Sequence, residues 1–300
     1  MRHNFNLLIR GLALYAAVLF FTGCSQEEGI KPKDDQSIST RGFTGPGTGG
    51  GSGPKYVYGL TDQNQLMLLK PGPPVTTVSM VTLSGFSKND RMLAIDFRPA
   101  NGLMYGVSDG NLIYIIDPST GIVKPISRSP FNPGIKGNTV GFDFDPKNDQ
   151  IRLVTDADLN MRIDPNFGTV VNVDTDINPA FFDMNAIAYG YNFATRTYPL
   201  YDIDISRGYL TKQSPENAGA INPVGPMNLV ILGEGGFDIP GNSNSTIGLA
   251  VLTGHSLLPS VTTGDNLSTD ACRLWEVNLA SAKTTYRGKL TRNVIGLAIP

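Results

Sequence analysis

The chain has 300 residues, of which Gly (34) and Pro (21) supply 55, about 18 per cent against roughly 12 per cent in an average protein. Charged residues make up only 17 per cent and apolar residues 40 per cent, a composition that excludes an intrinsically disordered chain. A formal net charge of −2 argues against nucleic-acid binding, and two cysteines are too few for a disulfide scaffold. This composition predicts an all-β protein of short strands and tight turns.

The N-terminal residues have the features of a secretory leader. Arg2, His3 and Arg10 form a basic start, and residues 11–21 are an apolar run without charge. These eleven residues are too few to cross a hydrocarbon core of ~30 Å, which takes about 20 residues in a helix. Their length is typical of the apolar region of a signal peptide.

The apolar run ends in Phe21-Thr22-Gly23-Cys24, which resembles the lipobox of bacterial lipoproteins. The resemblance implies that residues 1–23 are a signal peptide, and that Cys24 receives a diacylglyceryl group and, on its new amine, a fatty acyl chain such as palmitate. Ser25-Gln26-Glu27-Glu28 is similar to the acidic export signal of Bacteroidetes lipoproteins. It implies an outer-membrane location, either periplasm-facing or surface-exposed, with the membrane as a partner through the lipid on Cys24. The alternative is an ordinary secretory signal with an incidental cysteine.

Residues 24–54 are predicted to be a linker. Residues 45–54 consist almost entirely of Gly, Pro and Ser, and the whole stretch holds very few apolar side chains. Such a segment cannot bury enough surface to offset the entropy of ordering its backbone, so we expect a disordered tether. The folded domain is expected to span residues 55–300.

From residue 56 onward the sequence repeats. Segment 93–99 is echoed by segment 140–146, and Asp143 follows Asp96 by 47 residues (143 − 96). The turn residue Gly168 follows Gly121 by the same 47 residues (168 − 121). A fixed period of this size is close to the blade length of β-propellers.

Each repeat is predicted to form four short strands, because Asn-Gly and Asp-Gly pairs separate β-rich runs and favour hairpins. Weaker copies open near residues 185 and 236, the second with an insertion around Thr253–Thr269. Residues 295–300 match only the first strand of a unit, and residues 56–69 match only later strands. The prediction is therefore a β-propeller of five four-stranded blades, the first closed by the C-terminal strand. A ring of six blades remains an alternative if residues 213–270 form two short units.

These motifs together resemble a bacterial propeller-like family, the domain of unknown function 4394. The resemblance covers about residues 56–300 and is carried by the segments Tyr58-Gly59-Leu60-Thr61, Ile95-Asp96-Phe97-Arg98-Pro99, Leu103-Met104-Tyr105-Gly106-Val107, Gly141-Phe142-Asp143-Phe144-Asp145-Pro146 and Gly236-Phe237-Asp238. The family implies the fold but brings no established activity and no agreed catalytic residues.

Three carboxylates occupy one equivalent position in the first strands of the units: Asp96, Asp143 and Asp238. Ala188 and Ala298 occupy the other two positions. First strands line the central channel of a propeller, so we expect these carboxylates to converge there. Three interpretations stay open: hydrogen bonds to backbone amides of their own blades, a Ca²⁺ or Mg²⁺ site, or an acid/base pair for sugar chemistry, which needs carboxylates roughly 5 to 9 Å apart.

Asp174-Thr175-Asp176-Ile177-Asn178 has the alternating oxygens of a calcium loop but lacks the Gly and Glu of an EF-hand, so a solvated turn is the better interpretation. The sequence predicts no cofactor, and a structural Ca²⁺ is compatible with it but unsupported by any motif.

The leading hypothesis is an outer-membrane lipoprotein of the cell envelope whose propeller binds or scaffolds a protein, glycan or envelope ligand. It is based on the long tether, the rigid ring with loops on two faces, and the lack of a coherent catalytic set. The alternative is a glycan-active enzyme, a hydrolase or lyase, that uses Asp96, Asp143 or Asp238.

Overall fold

The structure, a computed structural model, describes residues 53–241, 245–258 and 265–300. The predicted signal peptide, the lipidation site Cys24 and the linker as far as residue 52 lie outside the described residues. Within the described ranges there are twenty β-strands and one 3₁₀ turn, Glu216–Ala218. None of the described segments forms a helix of the length and apolarity that a membrane span requires.

The strands form five four-stranded antiparallel sheets, each of which is one blade. Blade 1 combines the C-terminal strand with the first three strands, in the order β20 (Val294–Ala298), β1 (Val57–Thr61), β2 (Gln65–Lys70) and β3 (Thr76–Thr82). Blade 2 contains β4 (Met92–Phe97), β5 (Met104–Ser108), β6 (Ile113–Ile116) and β7 (Val123–Pro125). Blade 3 contains β8 (Val140–Asp145), β9 (Gln150–Thr155), β10 (Asn160–Asp164) and β11 (Thr169–Val173).

Blades 4 and 5 follow the same order along the chain. Blade 4 contains β12 (Met184–Tyr189), β13 (Leu200–Asp204), β14 (Tyr209–Gln213) and β15 (Ile221–Pro226). Blade 5 contains β16 (Leu229–Asp238), β17 (Ile247–Ser256), β18 (Ala271–Asn278) and β19 (Thr284–Lys289).

The first strand of each blade is its inner strand, and the inner strands contact one another in the order β20, β4, β8, β12, β16 and back to β20. The ring is therefore closed, which removes the exposed inner edges of an open array. The five-bladed prediction and the closure of blade 1 by the C-terminal strand are both confirmed. The six-bladed alternative does not apply, because the described part of residues 213–270 belongs to blades 4 and 5.

Blade 5 differs in detail from the sequence prediction. Its inner strand begins at Leu229 rather than near residue 236, and Leu229 pairs with Ser256. Strand β17 consequently continues three residues past Thr253, the expected start of the insertion. The added pairing surrounds a bulge between Ile231 and Gly235, where the apolar pattern of β16 is interrupted.

The core lies between the blades. Buried apolar clusters fill the junctions between blades 1 and 2, 2 and 3, 4 and 5, and 5 and 1. In β6, Ile113 packs toward blade 3, whereas Tyr114 and Ile116 pack toward blade 1. Fully burying one such side chain contributes about 1.5 to 3 kcal/mol, so packing on both strand faces stabilises the whole ring. The junction between blades 3 and 4 has a smaller apolar cluster beside a buried polar network.

Candidate functional site

The three predicted carboxylates meet in the central channel. Asp96, Asp143 and Asp238 lie near the C-terminal ends of β4, β8 and β16, in three different blades. One oxygen from each lies within 4.8 Å of the others, and the residues are only 5 to 6 per cent exposed. Because blades 3 and 5 are not neighbours in the ring, their side chains can approach this closely only across the channel. The predicted convergence is therefore observed.

Asp96 and Asp238 each accept two backbone hydrogen bonds. The first comes from the next residue of the same chain segment: the Phe97 N–H at 2.6 Å for Asp96, and the Ile239 N–H at 2.6 Å for Asp238. The second comes from a backbone N–H of the neighbouring blade. Each carboxylate is thereby fixed to its own strand.

The hydrogen bonds between each carboxylate and the neighbouring blade share one geometric pattern. Asp96 accepts the N–H of Phe144 in blade 3 at 3.0 Å. Asp143 accepts the N–H of Tyr189 in blade 4, and Asp238 accepts the N–H of Ile299, which follows the inner strand of blade 1, at 2.6 Å. Each donor lies one residue past the position equivalent to the carboxylates. Three of the five blade junctions are thus joined by a carboxylate.

This arrangement extends the interpretation that the carboxylates bond backbone amides of their own blades, which holds for Asp96 and Asp238. The carboxylates do bond backbone amides, but they reach the adjoining blade as well as their own. The junctions between blades 4 and 5 and between blades 1 and 2 cannot form this bond, because Ala188 and Ala298 have no carboxylate.

Burial raises the pKa of all three carboxyl groups. For Asp143 burial is the main cause and the charge of Asp238 adds to it, so the pKa is about 7 even though the contact with Asp96 lowers it. Burial and the negative charge of Asp143 raise the pKa of Asp96 well above its usual range. Burial and Asp96 do the same for Asp238. The cluster therefore retains protons near neutral pH.

The free space beside the cluster is small. All five inner strands line a channel cavity of about 10 Å³, with Ile95, Phe142, Ile187 and Phe237 among the lining residues. A cavity of roughly 10 to 15 Å³ holds one water molecule. The residues immediately before the three carboxylates line this cavity, and a sugar ring does not fit inside it.

The sequence analysis missed a second set of buried charges, between blades 3 and 4. Arg152 donates to Asn160 at 2.9 Å, to Asp174 at 2.8 Å and to Asn217 at 2.6 Å. Asp174 also accepts two bonds from Arg162, both at 2.8 Å. The expected solvated turn is therefore wrong for Asp174, which is buried and ion-paired.

Asp202 belongs to the same junction and is fully buried. It pairs with Ile187 of the inner strand, and the equivalent positions in blades 2, 3 and 5 are Gly106, Leu153 and Ala250. A carboxylate at a strand position that is small or apolar in the other repeats is a signal in the sequence that could have identified Asp202. The signal was missed because the hairpin before β13 is longer than in the other repeats, which obscured the alignment of this strand with its equivalents.

Comparison with solved structures found weak likenesses. A chain of the nidogen/laminin complex is 11% identical with a TM-score of 0.47, covering 82% of this chain and 98% of that chain. A provisional exo-beta-1,3-galactanase from Bifidobacterium bifidum s17 is 9% identical with a TM-score of 0.43, covering 78% and 91%. The Dos1 propeller is 11% identical with a TM-score of 0.42, covering 79% and 65%. These scores carry no functional argument.

No curated protein matches the chain at a significant level. A family profile does match, over residues 65–298, which extend from β2 to β20 and include all three channel carboxylates. The propeller and its ordered motifs agree with this match. The chain belongs to the family described as Domain of unknown function (DUF4394).

Proposed function

We propose that the protein is an outer-membrane lipoprotein of the cell envelope whose propeller is a rigid binding or scaffold module for a protein, glycan or envelope ligand. The channel carries the binding-module part of this proposal: its carboxylates bond the backbones of adjoining blades, and the cavity lined by all five inner strands has a volume of only about 10 Å³. A ligand too large for this cavity would contact the loops of the ring.

One loop offers a suitable contact surface. The segment between β12 and β13 carries an aromatic cluster, in which the Tyr191 ring lies 4.7 Å from Phe193 and 4.9 Å from Tyr198. Phe193 is 54 per cent exposed. Clustered, exposed aromatic side chains are enriched at the energetic centres of interfaces, where they supply large contact areas at low entropic cost. We assign the first ligand contact to this aromatic cluster.

Binding by the aromatic cluster is tested with a glycan array and with extracted envelope proteins, using the purified full-length protein. Once a ligand is found, Phe193→Ala should weaken its affinity about 30-fold, as expected for an interface residue that contributes roughly 2 kcal/mol. Phe167→Ala is the matched control, because Phe167 is 67 per cent exposed in a turn of blade 3. Equal affinities for wild type and Phe193→Ala would remove the aromatic cluster from the binding surface.

The lipoprotein assignment is supported by the lipobox-like segment ending at Cys24 and by the linker that follows it. Metabolic labelling with a fatty-acid probe tests it. The wild-type protein should carry the label and partition with the outer membrane, and Cys24→Ala should lose both properties. A Cys24→Ala protein that keeps the label and the membrane association would contradict lipidation at this residue.

A glycan-active enzyme is the second candidate, favoured by one observation. The pKa of Asp143, about 7, suits a general acid or base at neutral pH, and two other carboxylates lie close to it. A hydrolysis and lyase screen tests this candidate, and Asp143→Asn should lower any turnover by about 100-fold or more. A glycan that is bound without turnover supports the binding module instead.

A further inference from the structure

The junction between blades 3 and 4 has the smaller apolar cluster and several buried charged side chains. Arg152 of β9 faces blade 4, since its Nε contacts the Tyr189 hydroxyl at 3.5 Å. On blade 4, Tyr189 pairs with Leu200, so alternation along β13 places Asp202 on this same face of the sheet. Beside its apolar cluster, this junction contains a network of buried charges.

Asp202 lies in this network without a well-formed side-chain hydrogen bond. It is 0 per cent exposed, and neither carboxylate oxygen accepts a hydrogen bond of good geometry from the described residues. The Thr211 hydroxyl donates to the Asp202 backbone carbonyl at 3.2 Å. Buried carboxylates in folded proteins are paired, hydrogen-bonded or bound to metal, because an isolated buried charge is very unfavourable. The described part of the chain provides no well-formed partner for this carboxylate.

Gln213 supplies a third unpartnered oxygen. Its Nε2 donates to the Glu216 carbonyl at 2.6 Å, whereas its Oε1 is buried and has no hydrogen-bond partner among the described residues. In the pairing of β13 with β14, Asp202 lies opposite Thr211 and Leu200 lies opposite Gln213. Asp202 and Gln213 are thus diagonal neighbours on one face, a separation that long side chains can bridge.

The charges of the junction are unbalanced. It contains two guanidinium groups, Arg152 and Arg162, and four carboxylates, which are Asp145, Asp174, Asp202 and Glu216. Both guanidinium groups are already engaged with Asp174. With all groups ionised, the local formal charge is 2 − 4 = −2. Burial raises the pKa of Asp202 well above its usual range and the charge of Glu216 adds to this rise, whereas the charge of Arg152 and the nearby Thr211 hydroxyl and Gln213 N–H oppose it.

The chemistry of the unpartnered oxygen atoms indicates which kind of ligand they would bind. All three, Asp202 Oδ1, Asp202 Oδ2 and Gln213 Oε1, are hard oxygen acceptors. A single water has only two hydrogens to donate and would leave the charge unbalanced. Hard divalent cations bind carboxylate and amide oxygens and complete their shells with water. We infer that the junction of blades 3 and 4 is a binding site for a hard divalent cation such as Ca²⁺, held by Asp202 and Gln213.

Calcium binding to the full-length protein, stripped of metal with a chelator, tests this inference by equilibrium dialysis with CaCl₂ alone. We expect wild type to bind one Ca²⁺ at the junction and Asp202→Asn to lose that ion. Gln213→Ala removes one ligand and should weaken the affinity by at least ~10-fold. It is the second variant in case Asp202→Asn is poorly folded, and circular dichroism confirms the fold of each.

Asp143→Asn separates this site from the channel cluster, which also contains three carboxylates. Calcium binding that persists in Asp143→Asn and is lost in Asp202→Asn supports the junction site. Absence of binding by wild type, or binding that is lost only in Asp143→Asn, would overturn the inference. An unchanged affinity in folded Gln213→Ala would overturn it as well.

Discussion

At the scale of a single residue, Asp143 has two opposing effects on the stability of the protein. Its carboxylate holds the Tyr189 amide of the next blade, yet it is buried beside Asp96 and Asp238. The hydrogen bond stabilises the ring, whereas loss of hydration and repulsion between the carboxylates destabilise the ionised form. The balance between these effects must therefore depend on pH.

The pH dependence has a definite sign. The pKa of Asp143 is about 7 in the folded protein and about 3.9 in an unfolded chain, so the folded state binds more protons between these values. The contribution of Asp143 to the free energy of unfolding is fully present below pH ~4 and is lost as the pH rises to about 7.

Asp143→Asn keeps an oxygen for the Tyr189 amide and cannot ionise. Urea unfolding between pH 4.5 and 8 should show a weaker fall in stability with pH than in wild type, and a more stable variant at pH 8. Asp176→Asn, which changes an exposed carboxylate, is the control and should keep the wild-type slope. Identical slopes for wild type and Asp143→Asn would contradict the raised pKa.

The sequence was sufficient to identify the channel residues but not their partners. The 47-residue spacing showed that Asp96 and Asp143 occupy one equivalent position of the repeat. Because that position lies in the first strand of each unit, it predicted that both side chains line the channel. Their bonds to Phe144 and Tyr189 depend on how far one blade is rotated from the next, which no local pattern encodes. Asp202 was missed for a related reason, because its strand follows an irregular hairpin.

At the scale of elements, the inner strands β16 and β20 approach closely at Gly236. A Cβ added there would lie 2.2 Å from the backbone N of Leu297 and 2.4 Å from the backbone C of Gly296. Backbone atoms of a paired strand cannot move aside as a flexible side chain can. Gly236 is therefore required by the packing of blade 5 against blade 1.

Gly236→Ala should force these strands apart and destabilise the protein by about 3 kcal/mol, the upper part of the range for overpacked cores. Gly241→Ala is the matched control, because no atom of the described residues lies within 4 Å of its added Cβ, and its effect should stay within about 0.5 kcal/mol. Chemical denaturation of both variants measures the difference. Equal stabilities would show that β16 and β20 are not tightly packed.

Strand order was easier to predict than strand length. The turn signals and the repeat located all five inner strands, but the N-terminal extension of β16 to Leu229 was missed. That extension pairs with β17 across a bulge. Its formation therefore depends on the partner strand more than on the hydrophobic pattern of its own residues.

At the scale of the whole molecule, the last strand closes the ring. Strand β20 pairs with β1 and packs against β4 and β16, so it belongs to one blade and two junctions. Deleting residues 294–300 should abolish cooperative unfolding, because it exposes the edge of β1 and removes the Ile299 amide from Asp238. Deleting only the exposed Pro300 is the control and should leave the transition unchanged. A cooperative transition of wild-type stability after the longer deletion would contradict closure.

The central claim is that the channel carboxylates join neighbouring blades, and amide hydrogen exchange tests it most directly. In Asp143→Ala, the Tyr189 amide should exchange about 10-fold faster than in wild type, since leaving a buried amide without its acceptor costs roughly 1 to 3 kcal/mol. The Phe144 and Ile299 amides, held by Asp96 and Asp238, should keep their protection. Unchanged exchange at Tyr189 in a folded Asp143→Ala protein would contradict the claim.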